Sequence, residues 1–299
     1  MPDGFLNIYK PSGITSMDVI RNIKTCIGPV KAGHCGTLDP LAEGVLPIAL
    51  GRASRLVEYV LHESKVYWAR IQLGQTTDTF DAEGNILNSN PTTHIQQTTI
   101  NDILPRYIGN INQTPPLYSA LKKDGKPLYK YARSGHDISV PQRMVSIFDI
   151  TFLQYEEPYL DIRIHCGAGT YIRSLANDIG QSLKCGAHLN KLIREESGGF
   201  EFNNAIPLSN LITSIHDNPS ALQDLLIALD EPIKYMPKLA VSHNTASKLR
   251  NGKQIPCTPF SGNYTTSTTY RAYDPNGHFL AVVSYQPSKP SWKPLKVFN

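Results

Sequence analysis

The chain has 299 residues, 40% hydrophobic and 18% charged, with a formal net charge of +4. That composition excludes a disordered or low-complexity chain, and the length suits one large domain plus a small one. The basic surplus permits a polyanionic partner, so where the charge sits must decide. Five cysteines, Cys26, Cys35, Cys166, Cys185 and Cys257, are scattered without a C-x-x-C pair, which indicates neither a zinc site nor a disulfide framework. The first residues lack a basic-then-apolar leader and no run reaches membrane-spanning length. The expectation is a reduced, cytoplasmic protein that does not enter a membrane.

In chain order, "GFLNIYKPSGITS" reads as a strand ending in a Pro-Gly loop. Val19, Ile20, Ile23 and Ile27 then recur at helical spacing behind Ser16 as the cap. "GHCGTLDPLAEGVLPI" (33–48) surrounds Asp39 with Gly33, Gly36 and Gly44. Residues 54–61 repeat the helical spacing. "KVYWARIQLG" switches to period two, with Tyr67, Ala69, Ile71 and Leu73 on one face of a half-buried strand. "TTDTFDAEGNIL" is turn chemistry leading to a hairpin partner.

"YLDIRIHC" (159–166) alternates again. The glycine-rich "GAGT" follows, then a helix with Ile172, Leu175, Ala176 and Ile179 on one face and Thr170 as its cap. Past residue 205, short helices are broken by Pro and Asn. From about residue 238 a separate unit begins, with a helix at "NTASKLRNG" and two β-rich runs turned by "DPNG".

Three features stand out chemically. Asp39 precedes Pro40, which fits a helix start with Asp as N-cap and Pro at N1. It also fits a lone carboxylate acting as nucleophile or electrostatic stabiliser, since only Glu43 lies near enough to form an acid–base pair. Arg173 falls in the first turn of its helix, where the dipole disfavours a cation by roughly 0.3–1 kcal/mol. Such a broken local rule suits an arginine that clamps a carboxylate or phosphate, although an exposed arginine reaching water is equally compatible. Residues 118–135, "YSALKKDGKPLYKYARSG", interleave Lys122, Lys123, Lys126, Lys130 and Arg133 with tyrosines. Phosphate neutralisation and stacking faces are what a nucleic-acid surface needs, though a solvated lysine-rich face has the same composition. Asp78 and Asp81 read as turn caps, and the histidines show no metal-ligand spacing.

Read together, these stretches resemble the bacterial TruB-type tRNA pseudouridine synthases, which act on uridine 55 of the TΨC loop. The matching segments are "KPSGITS" (10–16), "GHCGTLDPLAEGVLPIALGRASRL" (33–56), "YWARIQLGQTTDTFDAEG" (67–84), 114–135, "CGAGTYIRSLANDIG" (166–180) and "CGAHLNKLIREESGGF" (185–200). They span most of residues 5 to 200 in family order, and the C-terminal unit matches only loosely. The resemblance implies a mixed α/β (α+β) pseudouridine synthase fold around a central, largely antiparallel sheet. Residues 1–237 would form the catalytic domain, with 118–140 a basic RNA-binding insertion, and 238–299 a small PUA-like β domain that binds RNA.

It further implies catalytic Asp39 paired with Arg173, and Tyr67 lying against the uracil. Tyr171 and Leu192 would line the nucleoside pocket, and His34 would take part in RNA-loop binding and base extrusion. Lys10, with Pro11, would support the aspartate loop, and Lys122, Lys123, Lys130 and Arg133 would contact RNA. No metal or other cofactor is implied. The partner would be the tRNA TΨC stem-loop, bound by a monomer, and the glycines beside Asp39 would let an RNA backbone come close. A non-catalytic RNA-binding protein and a carboxylate-dependent glycosidase are the alternatives.

Overall fold

The computed structural model describes residues 2–119, 121–123, 126, 127, 131, 140–256 and 269–298. Of the basic segment, the short strands Lys122–Lys123 and Lys126–Pro127 pair antiparallel, while Lys130 and Arg133 lie outside the described residues.

One ten-stranded sheet organises the larger unit. Its main path runs Ile206–Pro207, Gly4–Lys10, Glu43–Leu50, Ala187–Ser197, Lys65–Leu73, Tyr159–Cys166, Arg143–Glu156 and Gly109–Gln113. Ala187–Ser197 runs parallel to Glu43–Leu50, as does Gly4–Lys10 to Ile206–Pro207; the other neighbours on the path are antiparallel. The expected central, largely antiparallel sheet is therefore present. Lys65–Leu73 sits mid-sheet, with Tyr67 opposite Ile164 on one side and Arg194 on the other. Its period-two pattern buries Tyr67, Ala69, Ile71 and Leu73 together, beneath Leu175, Ala176 and Ile179 of helix Ile172–Ser182. Burying a leucine or isoleucine side chain in this way is worth about 1.5–3 kcal/mol.

The helix starts differ from the sequence reading. Thr15, not Ser16, caps helix Ser16–Ile27: its side chain accepts from Asp18 N while the Asp18 carboxylate accepts from Thr15 N at 2.9 Å. This capping box needs the acidic partner at N3, which a Ser16 cap would not have. Helix Ile172–Ser182 follows Tyr171 with no side-chain cap, and Thr170 Oγ1 donates to Gly167 O instead. Residues 54–61 divide into a 3₁₀ turn, Gly51–Arg55, and the short helix Val57–Leu61.

A five-stranded sheet in the order Lys238–Ala240, Thr269–Tyr273, Phe279–Gln286, Ser291–Val297, Ile255–Pro256 forms the C-terminal unit, with helix His243–Arg250 against it. Asp274 turns the central hairpin by accepting from Asn276 N and His278 N. Val282 and Phe298 pack with Phe5, Val45, Leu56 and Phe200 of the larger unit, so apolar contact joins the two.

Candidate active site

Asp39 opens no helix. The segment 35–42 is irregular, between strands Ala32–His34 and Glu43–Leu50. Its backbone is satisfied by other groups instead, which is why Pro40 does not become N1. Lys10 Nζ donates to Pro40 O at 3.2 Å, Gly13 N to the same oxygen at 2.9 Å, and Ser12 Oγ to Leu41 O at 2.9 Å. Ser16 Oγ both accepts from Leu38 N and donates to Leu38 O. The "KPSGITS" run is thus a polar bracket around the aspartate loop.

Lys10 is fully buried, with Nζ also on Pro11 O and Ile14 O. Burial pushes its ammonium down to about 8, with the Asp39 carboxylate acting the other way. The folded pKa lies below the ordinary lysine value, so the unfolded chain binds more protons between the two, and stability from this group rises with pH above about 8. Urea unfolding is expected to show this as a gain for the parent relative to Lys10→Met between pH 7.5 and 9.5. A pH-independent difference between the two proteins would contradict it.

Of the three glycines, Gly44 serves internal packing, whereas a Cβ on Gly33 would meet nothing within 4 Å and Gly36 lines a cleft beside Asp39. A Cβ on Gly44 (φ +105°) would lie 2.3 Å from Arg194 O, so glycine is what lets the two strands meet. Gly36 (φ +124°) holds a backbone conformation that L side chains rarely adopt.

The carboxylate of Asp39, 37% exposed, meets Arg173: Oδ2 is 2.9 Å from Nε, an ion pair without hydrogen-bond alignment. The Arg173 side chain is only 6% exposed, and its remaining nitrogens are occupied. Nη1 lies 3.3 Å from Asp81 Oδ2 and donates to Thr79 O, and Nη2 donates to Tyr118 O at 3.0 Å. One guanidinium thus holds two carboxylates and two loops. Asp81 is fixed in turn by Thr79 Oγ1 and Glu83 N, on a turn docked to the sheet by Ala82 N→Leu189 O and Leu189 N→Phe80 O. Phe80 sits at φ +63°, a conformation costing on the order of 1–3 kcal/mol that this docking must offset. Burial, and then the carboxylates of Asp81 and Asp39, push Glu83 above its ordinary value.

Asp39 and Arg173 open onto a cleft of about 440 Å³ that Tyr67, Tyr171, Leu192 and Arg194 also line. Burial pushes the Tyr67 phenol up, with Arg194 opposing. Tyr171 is set by Gln113, whose amide donates to Tyr171 O and accepts from Tyr171 N. The cleft does not reach every expected residue. Lys10 lies beneath the loop, and His34 ends strand Ala32–His34 away from the lining, where burial and Arg194 lower its pKa.

A mostly apolar cleft with aromatic walls and one exposed carboxylate beside a cation is the kind of concave site that takes a small ligand. Sequence comparison decides the family. The model of the TruB family pseudouridylate synthase N-terminal domain matches residues 24–172, and the two TruB C-terminal domain models match 173–234 and 236–299. The chain belongs to the TruB family of pseudouridylate synthases. TruB relatives named tRNA pseudouridine synthase B include one from Dehalococcoides mccartyi, 38% identical over 99% of this chain and 96% of the relative. Another, from Clostridium novyi, is 41% identical over 94% of each. Among solved structures, a Cbf5-Nop10-Gar1 complex contains a chain superposing with a TM-score of 0.76 at 25% identity, covering 99% of this chain and 84% of that one. An H/ACA RNP bound to a substrate RNA gives 0.77 at 23% identity, over 99% and 85%, which speaks for the TruB fold alone.

Three residues that line or support this TruB cleft escape sequence reading: Arg194 lines it, Asp81 holds Arg173 and Gln113 holds Tyr171. Asp81 reads as a turn residue and is one, but its second oxygen reaches Arg173 through tertiary contact. Gln113 and Arg194 carry no local anomaly in strands where polar side chains alternate outward; only the fold turns them inward. Among the described residues no helix is long and apolar enough to cross a membrane.

Proposed function

We propose that this chain converts uridine 55 in the TΨC loop of tRNA to pseudouridine, with Asp39 as the nucleophile. The observation that carries the reading is the Asp39–Arg173 pair at 2.9 Å on the rim of a cleft walled by Tyr67, Tyr171 and Leu192. Family membership and the printed names of the relatives support the substrate class.

The reaction breaks the N1–C1′ bond, turns the uracil and joins C5 to C1′, with the C5 proton released to solvent and a proton taken up at N1. Atoms and electrons are conserved, so it calls for neither redox agent nor energy source. What it needs is an ionised carboxylate aimed at the nucleoside and walls that retain the detached base. Arg173 pairs with Asp39 and aims its carboxylate. Tyr67, Tyr171 and Leu192 supply the walls. Tyr67 and Asp39, both on the cleft, are the candidates for removing the C5 proton. The uridine must leave its stack, at a cost of a few kcal/mol that backbone contacts offset. The enzyme acts as a monomer in the cytoplasm, with residues 1–237 catalytic and 238–299 a second RNA-binding unit.

A TΨC stem-loop tritiated at uracil C5 tests this. Proton release with intact RNA supports isomerisation; free uracil would mean a glycosidase, and binding without either would mean a non-catalytic RNA-binding protein. Replacing Lys122, Lys123, Lys126 and Lys130 with Gln is expected to flatten the salt dependence of stem-loop binding. Each lost phosphate contact should reduce the slope of log K against log salt by about 0.7–0.9. An unchanged slope would mean that these lysines are merely solvated.

A further inference from the structure

Arg194 is only 1% exposed and is, among the described residues, the largest fully buried side chain. Nε donates to Val45 O at 2.7 Å, Nη2 to Gly36 O at 3.1 Å and Nη1 to Thr37 O at 3.3 Å. Among the described residues it forms no ion pair. A cation buried with no carboxylate is an expensive way to fill a core. Three carbonyls on two separate segments are, however, a demand that the planar five-donor fork of arginine meets and other side chains do not. The segments are the two ends of the aspartate loop: Gly36 and Thr37 precede Asp39, and Val45 lies in the strand that follows it. Between those ends the loop is gripped at Pro40 by Lys10 and Gly13. The backbone of Arg194 is itself locked, paired with Gly44 on one side and Tyr67 on the other.

We infer that Arg194 is a positioning residue for the proposed isomerisation, tying Gly36–Thr37 to Val45 so that Asp39 is held at a fixed place over the cleft floor. The role rests on the reading of the preceding subsection, because it matters only if Asp39 attacks a bound nucleoside. Reacting groups displaced by about 1 Å can lose on the order of 100-fold in rate. A loop of irregular backbone with three unmet carbonyls has that freedom. Lysine at 194 keeps the charge but offers one nitrogen where the arginine offers three.

Arg194→Lys and Arg194→Met, compared on the TΨC stem-loop, separate the possibilities. Both are expected to bind RNA within about threefold of the parent, while the single-turnover rate of pseudouridine formation falls about 100-fold. In the RNA-free protein, amides of residues 36–42 should exchange hydrogen at least ~10-fold faster, with those of strand Tyr159–Cys166 unchanged. Should the methionine variant unfold, the lysine variant decides. A rate within threefold of the parent in Arg194→Lys, or a rate loss matched by an equal loss of binding, overturns the inference. So does faster exchange spread evenly over the sheet. If the parent releases no C5 proton, the proposed function itself fails, and loop exchange still decides whether Arg194 holds the loop.

Discussion

Asp39→Asn is expected to lower the single-turnover rate of pseudouridine formation by roughly four orders of magnitude or more, about 5.5 kcal/mol of transition-state stabilisation. Stem-loop affinity should stay unchanged or rise slightly, because a negative charge leaves the path of a polyanion. The structure says why this substitution isolates chemistry from folding. Every contact that shapes the loop reaches its main chain: Lys10 and Gly13 at Pro40 O, Ser16 at Leu38, Arg194 at Gly36 and Thr37. Among the described residues, the one ion pair of the Asp39 side chain is with Arg173. Arg173 is not stranded when that pairing is lost, since Asp81, Thr79 O and Tyr118 O remain around it. Asparagine fills the same volume, so unfolding midpoints should coincide within a few degrees. Turnover at even a hundredth of the parental rate would remove Asp39 as the nucleophile.

What could be read in advance divides along a physical line. The strands at 65–73 and 159–166 and the helix after 171 announce themselves through local periodicity, because one face of each must be buried whatever it packs against. Arg173 is legible as a local rule-breaker, a cation at the wrong end of a helix, and Asp39 only as a carboxylate pinned before proline. The pairing between them is not legible, since 134 residues separate the two and only the sheet order brings helix Ile172–Ser182 beside the aspartate loop. The family resemblance supplied it. Local logic misassigned Asp39-Pro40 as a helix start for the same reason. The dipeptide suits an N-cap, but the donors and acceptors of this loop are met from strand Gly4–Lys10 and from Arg194, partners that no window of neighbouring residues contains. Asp81 shows the limit most plainly: its turn-forming oxygen is local chemistry, and its Arg173-facing oxygen is tertiary structure.

Replacement of Arg173 is expected to produce the second large effect, and two variants separate its electrostatic and structural parts. Arg173→Lys keeps a cation but has one nitrogen for Asp39, Asp81, Thr79 O and Tyr118 O, so Asp39 is less well aimed. The rate should fall about 100- to 1000-fold, roughly 2.7–4 kcal/mol, with RNA binding little changed. Arg173→Met removes the charge as well and leaves the Asp81 carboxylate, 6% exposed, buried without its cation. Breaking one half of such a pair costs about 3–5 kcal/mol of stability. Adding Asp81→Leu to Arg173→Met should therefore recover much of the lost stability, because an apolar pair can replace a buried ion pair at little cost. It should recover none of the activity, since Asp39 still lacks its partner. If the double variant regained activity along with stability, Arg173 would be a structural residue and the aiming role would fall. If Arg173→Lys kept near-parental kinetics, the position would need only a positive charge, and the forked geometry that joins Asp39 to Asp81 would be incidental to catalysis.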